Sequence, residues 1–294
     1  MTNYAHQQKC TYFLKTFVLL LISVLILFLS IGTPSEAAKA RQLRYYALDV
    51  GQGDCSLFVL PDGRNVVIDA GPRSNARKTV NYLKSCGVRK IDLLIATHPH
   101  EDHIGGMKEL LARIPVKQIW DSGYNHGSKI QRDFYLAVKD KKIPFGRPKR
   151  GYAAKMGDVT FEVLAPARAL KGTSSDANNN GLIVLVTYGD VSFLMMGDAQ
   201  KKEQETVSPL PRAAVLKAAH HGAANGTDAA LLREVSPDII ILSYKRGNSY
   251  GHPHKETVSA IRKAKILRFD TADGPVKLRT DGKSVTFERK RVVK

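Results

Sequence analysis

Histidines cluster in this sequence at places where predicted strands end. Of the 9 histidines, eight follow the first forty residues, and seven of those eight fall in three short groups. The groups lie at positions 98–103, 220–221 and 252–254, and each follows an apolar segment that predicts a strand. Because ligands and reactive groups collect at strand ends in α/β proteins, the three groups mark a candidate site.

The first group has the spacing of a metal site. Within the six residues 98–103, four side chains can bind a metal ion: His98, His100, Asp102 and His103. Imidazole nitrogens and carboxylate oxygens are suitable ligands for zinc and similar ions. Pro99 and the following Gly105-Gly106 favour a tight loop rather than a helix here. In such a loop, alternate residues can face one metal ion while their neighbours face a second.

The elements that must position these groups alternate between strands and helices. The apolar and alternating segments predict strands at 44–49, 55–60, 65–69, 91–96, 116–120, 159–164, 182–188, 192–196, 214–218, 239–243, 276–279 and 284–289. Helical patterns predict helices at 75–85, 107–113, 130–139, 201–207 and 254–265. Hairpins of strands mixed with helices indicate two sheets with helices packed outside them.

The composition is that of a basic globular protein. With 43% hydrophobic residues in 294, there is ample material for a core, which excludes a disordered chain, and 3 cysteines exclude a disulfide-dense miniature scaffold. Lys and Arg total 45 against 27 Asp and Glu, so the formal net charge is +18. That excess fits either a solvated lysine-rich surface or a polyanionic partner, such as nucleic acid or a phosphate-rich cell-wall polymer.

Residues 1–40 have the pattern of a targeting segment. Basic residues precede an apolar run at 16–31, and small residues follow at 35–40, which is typical of a secretory signal peptide. The alternative is an uncleaved anchor, although the run is shorter than the roughly twenty residues that span a bilayer. We therefore expect a secreted or extracytoplasmic domain over 41–294. Its two cysteines, Cys55 and Cys86, either form one disulfide or remain buried thiols.

The ordered motifs resemble those of a known superfamily. The sequence His98-x-His100-x-Asp102-His103 after an apolar strand resembles the signature of the metallo-β-lactamase fold. Asp69-Ala70-Gly71 before it and Gly197-Asp198 after it stand in the family's order. The resemblance implies an α/β fold, specifically a single-domain, four-layer αββα sandwich with two metal ions at one edge between the sheets.

Further motifs narrow the resemblance to the soluble hydrolase domain of the competence protein ComEC. The similarity covers roughly residues 44–290 and rests on four segments: Leu48-Asp49-Val50-Gly51-Gln52-Gly53-Asp54, Asn178-Asn179-Asn180, Lys217-Ala218-Ala219-His220-His221-Gly222 and Tyr250-Gly251-His252-Pro253. No multi-spanning channel region is evident in the sequence. We therefore expect a free-standing, exported relative.

The resemblance implies a metal-binding role for six residues. His98 and His100 would bind a first divalent ion, while Asp102 and His103 would bind a second, and Asp198 would bridge the two. One histidine of the pair at 220–221 would complete the second site. We favour His221 as that ligand, which leaves His220 facing the substrate.

Other residues of the same motifs would act around the metals. Asp102, His220 and His252 are the expected catalytic residues, and His252 is a substrate contact, a proton donor or a brace for its own loop. Asp69 would orient a metal-binding histidine, as carboxylates behind a ligand do. Asp54 either lines the site or serves as a turn residue. His254 would simply begin the next helix.

One departure from the superfamily pattern concerns the first metal. Many members supply a third histidine between the loop motif and the bridging aspartate, but the histidine in that interval here is His126, well before the expected place. The asparagine run at 178–180 stands there instead, so Asn180 is expected to support the metals or contact substrate. A first site that is poor in ligands would bind its ion weakly, hold extra water, or favour manganese or another ion over zinc, and the expected cofactors are two divalent ions, zinc or manganese.

The chemistry that follows is metal-dependent hydrolysis, most readily of a phosphodiester in DNA. A two-metal site with a bridging carboxylate suits phosphoryl transfer, and no serine-nucleophile motif or nucleotide cofactor is expected. Basic residues flank the site loops: Arg73, Arg77, Lys78, Lys129, Arg132, Lys139, Lys141, Lys142, Arg147, Lys149, Arg150, Lys245 and Arg246. The alternatives are a hydrolase of cell-wall phosphodiesters or of small esters or lactams, and a non-cutting DNA-binding module that assists uptake.

Overall fold

Two mixed sheets carry the candidate site. The computed structural model describes residues 42–287, so the predicted signal segment at 1–40 lies outside the described residues. The described residues belong to one compact unit. Between residues 42 and 287, no helix has both the length and the apolar character that a membrane span requires.

The strands are short and mostly buried. In chain order they are β1 Leu43–Ala47, β2 Ser56–Val59, β3 Asn65–Ile68, β4 Leu93–Ala96, β5 Ile119–Asp121, β6 Phe145–Gly146, β7 Ala153–Met156, β8 Val159–Ala165, β9 Ile183–Tyr188, β10 Val191–Met195, β11 Val215–Lys217, β12 Ile239–Leu242, β13 Leu267–Asp270, β14 Val276–Thr280 and β15 Val285–Phe287. The helices are α1 Ala76–Ser85, α2 Glu101–Ile104, α3 Met107–Arg113, α4 Lys129–Asp140, α5 Lys201–Val207, α6 Ala229–Val235 and α7 Lys255–Lys263.

Each sheet is antiparallel at one side and parallel at the other. The first has the order β15-β14-β1-β2-β3-β4-β5-β6, and the strands from β3 to β6 run parallel. The second has the order β13-β12-β11-β10-β9-β8-β7, and the strands from β10 to β13 run parallel. Parallel strands bring their carboxyl ends to one edge of a sheet, where side chains that follow them collect.

The inner faces of the two sheets pack against each other through aromatic rings. Phe58 of the first sheet meets Phe193 of the second with centroids 5.5 Å apart, edge to face, and meets Phe161 at 6.1 Å. Tyr45 lies 4.8 Å from Phe58 and 5.3 Å from Phe193. Such pairs add stabilisation beyond the area they bury. This inner core fixes the position of one sheet relative to the other.

Helices cover both outer faces. A second buried cluster lies between the first sheet and α1, α3 and α4, and it includes Leu83, Leu110 and Phe134. A third lies between the second sheet and α5, α6 and α7, and it includes Val207 and Leu231. The four-layer αββα arrangement implied by the motifs is therefore confirmed.

The predicted elements agree with the structure except at a few places. The expectation of a tight loop without helix was wrong for Glu101–Ile104, which forms one helical turn. Glu101 and Asp102 lie in its first turn, where the backbone N–H groups carry partial positive charge. Acidic side chains stabilise a helix at that end. Strands β6, β7 and β13 and helix α6 had not been predicted. Cys55 and Cys86 are free thiols, so no disulfide joins them.

A buried glutamate supports the asparagine turn beside the site. Glu203 of α5 is 1% exposed, and its backbone N–H donates to the Asn179 side chain at 3.2 Å. Neither carboxyl oxygen of Glu203 has a hydrogen-bond partner among the described residues. Burial raises the pKa of this carboxyl well above its ordinary value of 4.5. Glu203 is therefore protonated in the folded protein at pH values where the unfolded chain has lost the proton.

This difference makes stability depend on pH in a defined direction. Above pH 4.5 the unfolded state binds fewer protons at residue 203 than the folded state, so the free energy of unfolding falls as pH rises. In Glu203→Gln this residue no longer titrates, so its contribution to the fall in the free energy of unfolding with rising pH disappears. Relative to wild type, we expect the variant to gain stability from pH 4 to pH 8, by about 1.4 kcal/mol per unit of pKa separation. Urea denaturation at both pH values measures this gain. Glu205→Gln, on the exposed face of the same helix, should show none, and a pH-independent difference for Glu203→Gln would contradict the argument.

Candidate metal centre

Side chains that follow four parallel strands meet at one edge of the sandwich. His98 and His100 follow β4, and Asp69 follows β3, both in the first sheet. Asp198 follows β10, and the histidine pair at 220–221 follows β11, both in the second sheet. The site is thus assembled from both sheets, and neither sheet alone carries it.

Two groups of metal-capable atoms share one carboxylate. The first group is His98, His100 and Asp198, and the second is Asp54, His103, Asp198 and His221. Within each group, the candidate ligand atoms all lie within 4.8 Å of one another. Asp198 Oδ2 lies 3.6 Å from His98 Nε2, and Asp198 Oδ1 lies 3.1 Å from His103 Nε2. This shared position is the one the sequence predicted for a bridging aspartate.

Asp102 stands at the edge of the second group. Its Oδ2 lies 3.0 Å from His221 Nε2 and 3.9 Å from His103 Nε2. Backbone contact places the residue, because the Asp54 N–H donates to the Asp102 carbonyl at 3.1 Å. Gly53 permits that approach, since a Cβ there would lie 2.2 Å from the same carbonyl. Asp54 itself belongs to the second group, so it lines the centre as well as forming the turn.

Asp69 fixes the orientation of His103. Its Oδ2 lies 2.7 Å from His103 Nδ1, and the Thr97 N–H and hydroxyl donate to its two oxygens at 2.9 and 2.7 Å. Because Nδ1 is engaged, the His103 ring presents Nε2 to Asp198. Asp69 therefore contacts a histidine of the centre from behind, which is the geometry of an orienting carboxylate.

The backbone at the histidine pair is left-handed. His220 and His221 have φ values of 52° and 56°, a conformation that costs most L-residues energy. It turns the two rings to different surroundings. His221 Nδ1 donates to the Ser243 carbonyl at 2.9 Å, so its Nε2 faces Asp102 and Asp198. His220 is less buried, with Nε2 3.8 Å from Asp198 Oδ2 and Nδ1 3.1 Å from Asn225.

Burial and neighbouring charge act in opposite directions on these groups. Burial, reinforced by His103, holds the pKa of His98 well below its usual range. Burial also lowers the pKa of His103, but the carboxylates of Asp198, Asp69 and Asp102 outweigh it and raise the net pKa well above that range. For His221 the same competition, chiefly with Asp198, gives a pKa of about 10. The carboxylates thus favour positive charge at the second group.

A buried ion pair includes Asp54, a member of the second group. Lys217, the last residue of β11, donates from Nζ to Asp54 Oδ2 at 2.8 Å, and both side chains are almost fully buried. Asp54 Oδ1 has no hydrogen-bond partner in the described part of the chain and lies 4.0 Å from His221 Nδ1. In the sequence, Lys217 is part of the motif that contains the histidine pair, but nothing there indicates a role for it. Its partner could not be recognised from a sequence separation of 163 residues.

An open cleft of about 970 Å³ leads to the centre. Its walls include His100, Asp102, Asp198 and both histidines of the 220–221 pair; they also include His126, Asn178, His252, Tyr250 and Lys245. The His126 ring lies 5.4 Å from the His100 ring. Burial, together with His221 and His220, lowers the pKa of His252 to about 4. His252 is therefore neutral at pH 7, and its ring lies 5.3 Å from that of His220.

The asparagine run contributes a different residue from the one expected. Asn180 accepts from the Leu170 N–H and donates to the Leu170 and Asp176 carbonyls, at 2.7 to 2.9 Å, so its amide holds a loop. It is not among the residues that line the cleft. Asn178 does line it, with Nδ2 3.5 Å from His220 Nε2 and its buried Oδ1 unpartnered among the described residues. Because the three asparagines are consecutive, the sequence did not indicate which of them lines the cleft. His254 accepts from the Ala224 N–H at the start of α7.

Comparison with known families agrees with this geometry. The family model described as the metallo-beta-lactamase superfamily matches residues 48–245, which is more than half of the chain. The chain belongs to the metallo-beta-lactamase superfamily. It is a superfamily of hydrolases, and the shared carboxylate with its surrounding histidines is a candidate metal-binding cluster of that kind.

Three curated superfamily relatives are ComEC-like competence proteins. The chain is 28% identical to ComE operon protein 3 of Bacillus subtilis (82% of this chain, 33% of the relative). It is 29% identical to Recombination protein 2 of Haemophilus influenzae (87% and 30%). It is 26% identical to Competence protein ComA of Neisseria gonorrhoeae (92% and 37%). The chain therefore spans about a third of the length of these relatives.

Solved structures share the superfamily's fold at low identity. YhfI of Bacillus subtilis, a metallo-beta-lactamase fold protein, aligns with a TM-score of 0.53 at 12% identity, covering 77% of this chain and 95% of that one. CmlA of Streptomyces venezuelae, a diiron beta-hydroxylase, aligns with a TM-score of 0.55 at 14% identity, covering 81% and 54%. Because proteins of different chemistry share the fold, function must be argued from the site.

The pair of Lys217 and Asp54 gives a test of how the centre is held together. Removing one member of a buried ion pair strands the other charge, so Lys217→Met should lower the free energy of unfolding by about 3 kcal/mol or more. The double variant Asp54→Leu/Lys217→Met should recover most of that loss, because neither charge is left alone. Lys78→Met, which breaks an exposed pair with Asp49, should cost less than about 1 kcal/mol. Denaturation in the presence of a chelator measures all three, and an equal loss in single and double variants would refute the pairing.

Proposed function

We propose that the chain is an exported, metal-dependent phosphodiesterase that acts on DNA. The observation that carries the proposal is the position of Asp198, whose carboxylate belongs to both groups of metal-capable atoms. Two ions that share a carboxylate suit hydrolysis of a phosphodiester, since both the attacking and the leaving oxygen then lie near a positive charge. The competence relatives support DNA as the polymer.

The residues of the centre fit divalent metal ions. His103 Nε2, Asp198 Oδ1 and Asp54 Oδ1 are buried and have no hydrogen-bond partner among the described residues. A buried polar atom without a partner costs about 1–3 kcal/mol, and three such atoms at one place fit a site for divalent cations. We assign His98, His100 and Asp198 to one ion. We assign Asp102, His103, Asp198 and His221 to the other, with Asp54 as a further carboxylate beside them. Imidazole and carboxylate donors suit zinc and manganese alike.

The remaining side chains orient the centre and meet the substrate. When bound, the metals would polarise a phosphoryl oxygen and bring the pKa of a coordinated water toward neutrality. Asp69 and the Ser243 carbonyl hold His103 and His221 with Nε2 toward the shared carboxylate. We assign His220, which is only partly buried beside Asp198, to hydrogen-bond a phosphoryl oxygen or to protonate the leaving oxygen. Neutral His252 contributes a hydrogen bond to substrate.

The basic residues around the site support a polyanionic substrate. Lys245 lines the cleft, and Arg73 lines a neighbouring depression of about 480 Å³. Neither makes an ion pair within residues 42–287. Four of the thirteen basic residues that flank the site loops are in ion pairs with carboxylates: Arg77, Lys78, Lys129 and Arg246. The unpaired cations are available to neutralise phosphates.

Asp198→Asn separates cutting from binding. The variant should lose at least about 100-fold in metal-dependent cleavage of single-stranded and duplex DNA, because the bridging carboxylate has become a neutral amide. It should still bind DNA at low salt, with log affinity falling by about 0.9 per phosphate contact for each tenfold rise in salt. Asp190→Asn, in the exposed turn before β10, is the matched control and should behave as wild type. Chelation should abolish wild-type cleavage.

Other outcomes would favour the alternatives. Turnover of only small esters, lactams or cell-wall phosphodiesters, with no DNA affinity in the variant, would mean that the nuclease proposal is wrong. Salt-sensitive DNA binding without metal-dependent cleavage in the wild type would identify a binding module.

Export is the second part of the proposal. The basic, apolar and small-residue pattern at 9–40 supports a removable signal, which would place the hydrolase outside the cytoplasm. N-terminal sequencing of the protein recovered from the producing cells should give a chain that begins near Lys39 or Arg41. A product that stays membrane-bound with its first residues intact would identify an anchor, and a full-length cytosolic product would contradict export.

A further inference from the structure

One exposed aromatic ring at the mouth of the cleft has no part in the metal chemistry. Tyr250 begins the motif Tyr250-Gly251-His252-Pro253, and its side chain is 65% exposed. Among the described residues, the other large hydrophobic side chains with comparable exposure are Leu136 and Tyr152, and neither lines this cleft. A single exposed ring is common on protein surfaces, but this one lines the cleft that leads to the candidate metal centre, so its exposed surface is available to a ligand there.

The ring of Tyr250 ends a row of rings that begins at the candidate metal centre. Tyr250 is stacked on His252 with centroids 5.5 Å apart and planes 21° from parallel. His252 in turn is stacked on His221 at 6.0 Å and 28°. His221 lies 5.3 Å from His103, within the second group of metal-capable residues. The row therefore connects the centre to the surface of the protein.

The loop that carries Tyr250 is fixed by its own hydrogen bonds. Asn248 Oδ1 accepts from the backbone N–H groups of Tyr250 and His252 at 3.1 and 3.0 Å, and Asn248 Nδ2 donates to the His252 carbonyl at 2.6 Å. His254 Nε2 donates to the Tyr250 carbonyl at 3.3 Å. Because the loop is already ordered, a ligand that contacts the ring has little conformational entropy to remove.

We propose that Tyr250 is a stacking platform for a base of single-stranded nucleic acid that enters the cleft. Every nucleobase has a flat π face, and stacking on an exposed aromatic ring binds single strands with little sequence preference. Bases in a duplex are already paired and stacked, so they cannot reach the ring. This inference rests on the proposed function and refines it, since it selects single-stranded ends over duplex as the form that enters the centre.

A nearby cation fits the phosphate that adjoins such a base. Lys245 begins the same loop region, lines the same cleft and makes no ion pair in the part of the chain that the structure describes. Its backbone N–H donates to Gln52 Oε1 at 3.2 Å, which ties this side of the cleft to the first sheet. The ring and an ammonium group that makes no ion pair with a described residue line the same cleft, and together they would contact the base and the phosphate of a bound strand.

The test measures binding without cleavage, in the Asp198→Asn background. A labelled single-stranded oligonucleotide, the same strand with abasic residues, and a duplex are titrated by fluorescence anisotropy. Tyr250→Ala should weaken binding of the base-bearing single strand about 5- to 100-fold and leave the abasic strand and the duplex unchanged. Tyr250→Phe, which keeps the ring, should bind as the parent does. Tyr152→Ala is the matched control: that exposed tyrosine lies in a separate depression, with its ring edge-on to Trp120.

The results that would overturn the inference differ from those that would overturn the proposed function. Equal weakening of base-bearing and abasic strands by Tyr250→Ala, or no weakening at all, would show that the ring does not stack on bases, even if the wild type cuts DNA. Loss of binding in Tyr250→Phe would also overturn it, because the ring is retained there. Conversely, if the expected binding pattern is found in a protein that never cleaves DNA, the stacking role of Tyr250 stands and the proposed nuclease activity is wrong.

Discussion

The structure depends on one buried carboxylate. Asp198 is 3% exposed, and burial alone would raise its pKa, but His221, His103 and His98 outweigh burial and hold that pKa well below its usual range. A charge removed from water must be compensated by neighbouring charge and hydrogen bonds. The surrounding histidines provide that compensation. Behind them, Asp69 contacts His103 and Lys217 pairs with Asp54, and these contacts hold the site residues in place. Metal ions placed at the same carboxylate would satisfy the same requirement.

The two sheets meet this requirement because each contributes one side of the centre. The strand that leads to Asp198 belongs to one sheet and the strand that leads to His98 to the other, and the aromatic core between the sheets fixes their separation. The local backbone conformation at the strand ends also positions the side chains of the centre. Asp69, His220 and His221 all have positive φ values at the strand ends, so the backbone leaves the strand conformation at the residues that contact the centre.

The cleft shapes what the centre can act on. It is open, and it combines metal-capable side chains with one exposed ring and with Lys245, which makes no ion pair among the described residues. A small apolar substrate would leave Lys245 without a counter-charge, whereas a phosphate polymer would provide one. The fold itself decides none of this, since a diiron hydroxylase of similar fold has a different chemistry.

The sequence by itself determined most strands and helices and the histidine cluster at 98–103, because strand periodicity and dense histidine spacing are local signals. The four-layer fold and the residues that meet at Asp198 followed from the resemblance of its motifs to a known superfamily. The sequence did not determine the helical turn at 101–104, which depends on charge at a helix N-terminus, or the short strands β6 and β13, which exist only through pairing with a neighbour. Only the tertiary structure decided that Asn178 rather than Asn180 lines the cleft. It alone paired Lys217 with Asp54 and placed Tyr250 above His252. Contacts between residues far apart in sequence leave no periodic pattern, so they appear only when the chain has folded and brings those residues together.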